Sequence, residues 1–261
     1  MKIISWNVNS LRAREPLIEK IIKTEAPDII CLQELKILDK EYVENFFNQF
    51  SLKTVAETQK SYNGVSVSCK REIVLCENPL KKLNMAQARN NTVIIKDKNL
   101  AILNCYFPNG NPIDTDKFTN KLEWMKLLYK EIEILKKEYE VLLMGDFNVI
   151  PDDEDAHDIK KYKNDALAQP ESRKEFYKLI NLDLIDVFKT TPKKQSYTFF
   201  DYKTYKFGKE EGIRIDFFLL SPFLKSKIMK LKVLKEYRDM DRPSDHCTIL
   251  IYLNILISLF F

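Results

Sequence analysis

Short runs of apolar residues recur along the chain, and each run ends at polar residues, Pro or Gly. Runs of this kind are typical of β-strands packed in a core. Pro108, Gly110, Pro151 and Pro243 mark several of the ends. The pattern predicts eight strands: Lys2–Trp6, Asp28–Leu32, Gly64–Ser68, Thr92–Ile95, Ala101–Cys105, Val141–Met144, Arg214–Leu220 and Cys247–Leu253.

Between these runs, apolar residues return every three or four positions, as on one face of an α-helix. The clearest stretch carries five such residues with charges between them: Leu122, Met125, Leu128, Ile132 and Leu135. Helices are predicted at three places: Arg14–Thr24, Lys117–Lys137 and Glu171–Leu179. Asp114 or Thr115 could cap the second helix. Strands interleaved with helices throughout indicate a layered α/β domain, which we assign to residues 1–253 because no repeat, linker or composition shift interrupts them.

The C-terminal end departs from this pattern. Residues 254–261 form a tail that is apolar apart from Asn254 and Ser258, and no role can be assigned to it. The whole apolar stretch from Ile249 to Phe261 is shorter than the ~20 residues that a membrane-spanning helix needs. We therefore expect no membrane partner.

The amino-acid composition indicates a soluble globular protein but does not by itself identify the ligand. The 261 residues are 45% apolar, which is enough for a core, and 42 basic against 38 acidic residues give a net charge of +4. Only eight of the basic residues are Arg. A nucleic-acid ligand would therefore be held mainly by Lys through its backbone, with salt-sensitive binding, although a Lys-rich surface is common among soluble proteins.

The five cysteines are scattered through apolar runs, and no pair has the CxxC spacing of a zinc or redox motif. They are Cys31, Cys69, Cys76, Cys105 and Cys247. Buried, reduced thiols are the simplest interpretation, and they indicate a reducing compartment. Because the N-terminus also lacks the long apolar core of a signal peptide, we expect a cytoplasmic protein.

Carboxylates and amides stand where the predicted strands end. They are Asn7, Asn9, Glu34, Tyr106, Asn109, Asp146, Asn148, Asp245 and His246, while Asp216 interrupts the apolar run that contains it. Taken singly, most could be turn residues, strand caps or partners of a neighbouring Arg. Open α/β folds, however, gather strand ends into one crevice, so the set predicts a shared site.

The chemistry of this predicted crevice is that of a phosphate-ester site. Carboxylate and amide oxygens are hard ligands that suit Mg²⁺ or Mn²⁺ rather than zinc. A hard cation beside Asn, His and Tyr donors can neutralise charge on phosphorus while an acid activates water. No Ser lies in a nucleophile elbow and no Cys pairs with the motif His, so a covalent nucleophile is not indicated.

Six sequence blocks in a fixed order resemble the exonuclease III-type apurinic/apyrimidinic endonucleases of the endonuclease–exonuclease–phosphatase superfamily. The blocks are Ile4-Ser5-Trp6-Asn7-Val8-Asn9, Cys31-Leu32-Gln33-Glu34, Tyr106-Phe107-Pro108-Asn109-Gly110, Gly145-Asp146-Phe147-Asn148, Arg214-Ile215-Asp216 and Pro243-Ser244-Asp245-His246-Cys247. The resemblance runs from Lys2 to about Tyr252. One block alone is a weak signal, but the ordered set is specific.

The resemblance implies a fold and a reaction. The fold would be a four-layer α/β sandwich with two central, mainly antiparallel sheets flanked by helices, forming one catalytic domain over residues 1–253. The reaction would be Mg²⁺-dependent hydrolysis of the phosphodiester 5′ to abasic sites in duplex DNA, with Mn²⁺ as a possible substitute. Activity as a 3′–5′ exonuclease and on blocked 3′ ends is implied as well, in a monomer acting on DNA in a bacterial-type cytoplasm.

The resemblance also implies roles at the metal and the reacting phosphate. Glu34 would be the main metal ligand, with Asn7 and Asp245 nearby. Asp146 would activate or position the attacking water. The other catalytic residues would be Asn148 and His246 as phosphate contacts, Asp216 as the residue that orients His246, and Tyr106 as a donor to the phosphate or the leaving oxygen.

Four residues are expected to contact the substrate. Asn109 would line the pocket, and Lys36 is a phosphate contact or a salt-bridge partner. Phe199 and Phe200 lie in the block Tyr197-Thr198-Phe199-Phe200-Asp201-Tyr202, which resembles the loop that repair members insert beside the lesion. Aromatic rings suit this role because they stack on bases or fill the gap left by a missing base.

Other classes remain to be distinguished. Deoxyribonuclease I-like enzymes need two active-site histidines, and Tyr106 stands where their first would be. Phospholipid or inositol phosphoesterases share the Gly-Asp-Asn and Ser-Asp-His blocks but are not expected to carry the aromatic block. A non-catalytic nucleic-acid-binding relative should have lost some carboxylates, yet Glu34, Asp146 and Asp216 are all present.

Overall fold

The described residues form twelve strands in two sheets of six. The structure is a computed structural model that describes residues 1–76, 87–190, 197–202 and 211–255. The first sheet has the order β11 (Ile228–Leu234), β12 (Thr248–Leu253), β1 (Lys2–Asn7), β2 (Ile29–Gln33), β4 (Val65–Cys69) and β3 (Lys53–Glu57). The second has the order β5 (Val74–Leu75), β6 (Asn90–Ile95), β7 (Leu100–Tyr106), β8 (Glu140–Asp146), β10 (Asp216–Leu220) and β9 (Ile185–Asp186).

Each sheet has one parallel pair at its centre, β1–β2 in the first and β7–β8 in the second. The other neighbouring pairs are antiparallel. Parallel neighbours end at the same edge of a sheet, so the residues that follow them leave side by side. This arrangement is what gathers the candidate site.

Alternation along each strand separates three apolar layers. In β2, Ile29 and Cys31 pack between the two sheets, whereas Ile30 and Leu32 face the helices of the first sheet. Those helices are α1 (Leu11–Glu25) and α2 (Lys40–Asn48), and the second sheet is covered by α3 (Asp116–Leu135) and α4 (Pro170–Ile180). The short helix α5 (Pro222–Lys225) follows β10. The predicted four-layer sandwich with mainly antiparallel sheets is confirmed.

All eight predicted strands and three predicted helices are present, with their ends shifted by at most three residues. Thr115, not Asp114, caps α3, because its hydroxyl accepts a hydrogen bond from the Lys117 N–H at 3.3 Å. The prediction missed α2, α5 and four strands: β3, β5, β9 and β11. All four missed strands are sheet edges.

The C-terminal region is described as far as Ile255. The last strand, β12, ends at Leu253, and residues 256–261 of the apolar tail lie outside the described residues. The division into a catalytic domain over residues 1–253 and a tail over residues 254–261 stays a prediction. Within the described ranges, no helix is long and apolar enough to cross a membrane.

Candidate active site

The candidate site lies where the two parallel pairs end. Asn7 is the last residue of β1, and Glu34 follows β2. In the second sheet, Tyr106 at the end of β7 lies opposite Asp146 at the end of β8. The antiparallel strand β10 places Asp216 on the other side of Asp146. Five polar side chains from separate parts of the sequence therefore meet at one edge of the sandwich.

The backbone at this edge is strained. Glu34, Lys36 and Asn148 have φ values of 55°, 54° and 47°, in the left-handed region that residues other than Gly seldom adopt. Main-chain hydrogen bonds hold the loop after β2, since the Ser10 N–H donates to the Glu34 carbonyl at 2.8 Å. Strained conformations that the surrounding structure fixes in this way concentrate at functional sites.

Glu34, Asp146 and His246 form a cluster in which one ligand atom from each lies within 4.8 Å of the others. The Asn7 side-chain amide donates to both carboxylates, at 2.9 Å to Glu34 Oε1 and 2.9 Å to Asp146 Oδ2. Lys36 Nζ lies 2.8 Å from Glu34 Oε2. Lys36 is thus a salt-bridge partner of Glu34, one of the two roles expected from the sequence.

Asp146 is buried, and this environment disfavours its charged form. Burial raises the pKa of the Asp146 carboxyl, the nearby His246 lowers it, and the charges of Asp216 and Glu34 raise it further, so that the pKa lies above its usual range. Glu34 is less buried. Burial raises the pKa of Glu34, but hydrogen bonds from Lys36 and Asn7 outweigh burial and hold it below the ordinary value.

His246 is held in one orientation by Asp216. Its Nδ1 lies 2.9 Å and 3.1 Å from the two Asp216 oxygens, and its Nε2 lies 3.6 Å from Asp146 Oδ2. Burial alone would lower the pKa of the imidazole, but the charges of Asp216 and Asp146 more than compensate and raise it. Each ring nitrogen thus faces a carboxylate, an arrangement that favours the protonated form of the imidazole.

Asn148 and Asn109 lie next to this pair. The Asn148 N–H donates to Asp146 Oδ1 at 2.9 Å, and its side-chain amide donates to the Phe107 carbonyl at 3.0 Å. The Asn109 amide donates to Asn148 Oδ1 at 3.2 Å. The loops after β7 and β8 are thereby joined at the site.

Tyr106 lies between the cluster of Glu34, Asp146 and His246 and the guanidinium of Arg89, a residue that the sequence analysis missed. Burial first, and then the charges of Glu34 and Asp146, raise the pKa of the Tyr106 hydroxyl, which is hydrogen-bonded to Glu34. The Arg89 guanidinium lies 4.8 Å from the centre of the Tyr106 ring and donates weakly to the Tyr106 carbonyl at 3.4 Å. Nothing in the sequence around Arg89 marks it, because the pairing of β6 with β7 brings it to Tyr106.

Two expected site residues lie outside the cluster of Glu34, Asp146 and His246. Asp245 is not part of the close carboxylate–imidazole cluster, because it accepts hydrogen bonds from the Asn9 amide at 3.1 Å and the Ser244 hydroxyl at 3.3 Å. Phe200 is only 3% exposed and packs with Tyr197 and Cys247, so the expected DNA contact is wrong for this ring. Phe199 is partly exposed, and its ring centre lies 5.0 Å from that of His246.

The donor set fits a hard divalent cation. Two carboxylates and an amide side chain converge, and Asp216 adds a further buried acid behind His246. Oxygen donors of this kind suit Mg²⁺ or Mn²⁺. Three acids, Glu34, Asp146 and Asp216, meet here, and Lys36 and His246 are the described basic groups in contact with them.

Comparison with known proteins places the chain in a family. Residues 4–246 match the Endonuclease/Exonuclease/phosphatase family, and the chain belongs to it. Exodeoxyribonuclease III of Haemophilus influenzae is 29% identical to it over 95% of this chain and 98% of the relative. Within the family, the chain is a nuclease of the exonuclease III and AP endonuclease group.

Solved structures agree with this assignment. A variant of the 3′ phosphatase NExo from Neisseria, bound to a product DNA hairpin, superposes with a TM-score of 0.90 at 29% identity, covering 97% of this chain and 99% of that one. An AP endonuclease from Archaeoglobus fulgidus superposes with a TM-score of 0.87 at 28% identity, covering 98% and 100%.

Proposed function

We propose that this nuclease hydrolyses the phosphodiester bond 5′ to abasic sites in duplex DNA, and that the same site removes nucleotides and blocking groups from 3′ ends. The observation that carries the proposal is the cluster of Glu34, Asp146 and His246 at the ends of both parallel strand pairs. The similarity to exodeoxyribonuclease III and to an AP endonuclease supports this choice of substrate over the lipid and inositol esters of other superfamily members.

The proposed cofactor is Mg²⁺, with Mn²⁺ as a substitute. Glu34 is the proposed principal ligand, Asp146 faces the same volume, and Asn7 orders both carboxylates through its amide. A bound cation would supply Lewis-acid stabilisation of the charge that develops on the phosphate oxygens. Asp245 would act at one remove, by holding the Asn9 amide whose oxygen accepts from Lys36.

The proposed chemical step divides between two buried residues. Asp146 accepts the proton of the attacking water, a task for which its raised pKa is suited. His246, fixed by Asp216, donates from Nε2 to the scissile phosphate. The Asn148 amide would donate to a remaining phosphate oxygen, and the Tyr106 hydroxyl to the phosphate or to the 3′ oxygen that leaves as the bond to phosphorus breaks. Asn109 would line the pocket beside Asn148.

The proposed DNA surface surrounds this site. Phe199 is the aromatic that can reach the lesion, since it lies beside His246 and is not fully buried. Tyr62, which the sequence analysis missed, is 70% exposed in the loop whose Asn63 carbonyl binds the Lys36 N–H at 2.9 Å. An exposed aromatic in a loop bonded to the chain beside the site is suited to contact DNA.

We further propose that the protein acts as a monomer in the cytoplasm. The five cysteines are free, and four of them are buried, which suits a reducing compartment.

Incubation of the purified protein with a labelled duplex containing one abasic analogue tests the function. We expect a single cut 5′ to the analogue with Mg²⁺ and none with a chelator. Glu44→Gln, a change at a partly exposed position of α2 that pairs with Lys40, should cut as the wild type does, whereas Asp146→Asn should not. Release of phosphate from lipid or inositol headgroups without cutting of the duplex would contradict the proposal.

A further inference from the structure

A buried lysine outside the reacting groups binds the backbone of the site. Lys121 on α3 is 0% exposed, and its Nζ donates to the carbonyls of Asn148 at 2.6 Å, Asn109 at 3.1 Å and Ala166 at 3.2 Å. An ammonium group has three N–H donors, so these contacts use all of them. A buried charge is costly unless its hydrogen bonds are satisfied, and here main-chain oxygens satisfy them.

The three carbonyls come from two connections, one between β7 and α3 that contains Asn109 and one between β8 and α4 that contains Asn148 and Ala166. Asn109 follows β7, Asn148 follows β8, and Ala166 precedes α4. The chain packs tightly on the lysine stem, because a Cβ at Gly110 would lie 2.7 Å from Lys121 Cδ, and Gly110 itself has φ +89°. Lys121 is therefore the point at which these loops are joined beneath the site.

The contacts of Asn148 connect the lysine to the reaction. The N–H of Asn148 is held by Asp146 Oδ1 at 2.9 Å, and its carbonyl is held by Lys121. Asn148 has the left-handed φ of 47°, which these bonds to its N–H and carbonyl help to fix. Without Lys121 the carbonyl would lack its charged donor, and the residue could relax towards an ordinary backbone conformation.

We propose that Lys121 is a positioning residue, which sets Asn148 and Asn109 relative to Asp146 without touching DNA. The proposal rests on the proposed nuclease function, in which these two amides surround the scissile phosphate. Lys121 would act only by fixing the positions of these two residues, because its ammonium group bonds their backbone carbonyls and neither of their side chains.

The same contacts argue against a role for Lys121 as the nucleophilic amine of a lyase. Burial lowers the pKa of Lys121 to about 7, despite the opposing charges of Asp165 and Asp146. A lysine of lowered pKa is what a Schiff-base lyase requires. Here, however, the amine is fully enclosed and all of its donors are engaged by carbonyls, so it cannot reach an abasic aldehyde.

The test compares Lys121→Met with Lys136→Met. Lys136 is a matched control, because it follows α3 and its Nζ binds the Leu182 carbonyl far from the site. We expect Lys121→Met to lower kcat on abasic duplex about 100-fold with KM changed less than about threefold, as for a small displacement of catalytic groups. Lys136→Met should keep the wild-type kcat.

A double-mutant cycle separates positioning from general destabilisation. If Lys121 acts through Asn148, adding Lys121→Met to Asn148→Ala should lower single-turnover cutting less than about threefold further. The full 100-fold loss in that background, or wild-type kcat in Lys121→Met, would overturn the proposal. If Lys121→Met does not fold, Lys121→Gln, which keeps two donors, takes its place in the same cycle with the same criteria.

Two results keep this inference distinct from the proposed function. Failure of the wild-type protein to cut abasic duplex with Mg²⁺ would reject the function itself. A borohydride-trapped DNA adduct that forms with the wild type and disappears in Lys121→Met would instead assign the lysine to lyase chemistry and overturn its positioning role.

Discussion

At the scale of single residues, the site packs three acids against a similar number of basic groups in a largely buried environment. Asp146 and Asp216 are nearly fully buried and Glu34 lies beside them, while Lys36 and His246 are the positive groups that contact them. Such a cluster costs free energy in the folded state unless its charges are paired. We interpret the clustered carboxylates as a binding site for a divalent cation, because a bound cation would pair with them and offset this free-energy cost.

Glu34→Gln tests this interpretation. The change keeps the shape of the side chain but removes the charge that would hold the cation, so we expect the Mg²⁺ concentration for half-maximal activity to rise at least about tenfold. The fold should persist, because Glu34 is only partly buried. Activity titrated against Mg²⁺ is the measurement, with Glu44→Gln as control; an unchanged Mg²⁺ requirement would remove Glu34 from the site.

Asp146 and His246 should act in one step, because Nε2 of the ring lies 3.6 Å from Asp146 Oδ2. Asp146→Asn and His246→Asn should each lower kcat by about 10³-fold or more. Residues that work as a unit are far from additive, so the double variant should be little worse than either single one. Strict additivity in single-turnover cutting would show that they serve separate steps.

Glu131 makes folding stability depend on pH. It is 5% exposed in the helix-side core of the second sheet, and burial raises its pKa from 4.5 to about 7, although a Thr92 hydrogen bond opposes this. The folded state thus holds the Glu131 proton more tightly, so the contribution of Glu131 to stability is fully present below about pH 4.5 and is lost as pH rises towards 7. Glu131→Gln should remove up to about 3 kcal/mol of this loss.

Urea unfolding at pH 5 and pH 8 measures the effect. The variant should be the more stable protein at pH 8, whereas the two should be similar at pH 5. Glu133→Gln, two residues away on the exposed side of α3, should leave the pH dependence unchanged. A wild-type pH dependence in Glu131→Gln would show that another group is responsible.

At the scale of secondary-structure elements, the central strands were predictable and the edges were not. β1, β2, β7 and β8 are buried on both faces and read as continuous apolar runs. The edge strand β11 is half exposed and carries lysines, so it lacks that signal. α2 was missed although Asp39 caps it and Val43, Phe46 and Phe47 have helical spacing, because it is only nine residues long.

The site was predictable to the extent that strand ends define it. Asn7, Glu34 and Asp146 all follow central strands, and the sequence blocks there identified them. Arg89 and Lys121 reach the site through tertiary packing, and no local pattern marks either residue. Phe200 was assigned to the DNA contact because the sequence pattern does not distinguish two adjacent aromatic residues in an irregular loop. Only the structure shows that the Phe200 ring is buried.

The aromatic loop gives a prediction with an internal control. Phe199→Ala should weaken binding to abasic duplex relative to intact duplex, by the ~1–3 kcal/mol of a stacked ring, and lower the melting temperature less than Phe200→Ala does, because the Phe199 ring is only partly buried. Phe200→Ala removes a core ring and should instead destabilise the fold by about 3–5 kcal/mol. Equal discrimination in Phe199→Ala and the wild type would show that Phe199 does not recognise the lesion.

At the scale of the whole molecule, the central strands of both sheets end at one crevice, so the side chains in that crevice determine how the DNA strand is cut. An acid that activates water beside a divalent-cation site performs an in-line displacement at phosphorus with no covalent intermediate. The alternative, β-elimination on the 3′ side, needs a lysine amine that reaches the sugar. Within the part of the chain that the structure describes, the lysine of lowered pKa is Lys121, which is sealed beneath the loops, and Lys36 is paired with Glu34.

We therefore expect incision 5′ to the abasic sugar, leaving a 3′-hydroxyl that a polymerase extends directly and a 5′-sugar phosphate. Because the chemistry at phosphorus is the same, a 3′-phosphate should also be removed, and both activities should be lost together in Asp146→Asn. Primer extension of the cut strand and borohydride trapping measure the outcome. A trapped protein–DNA adduct, or cutting that persists fully in chelator, would overturn the hydrolytic mechanism, since neither can arise from metal-assisted attack by water.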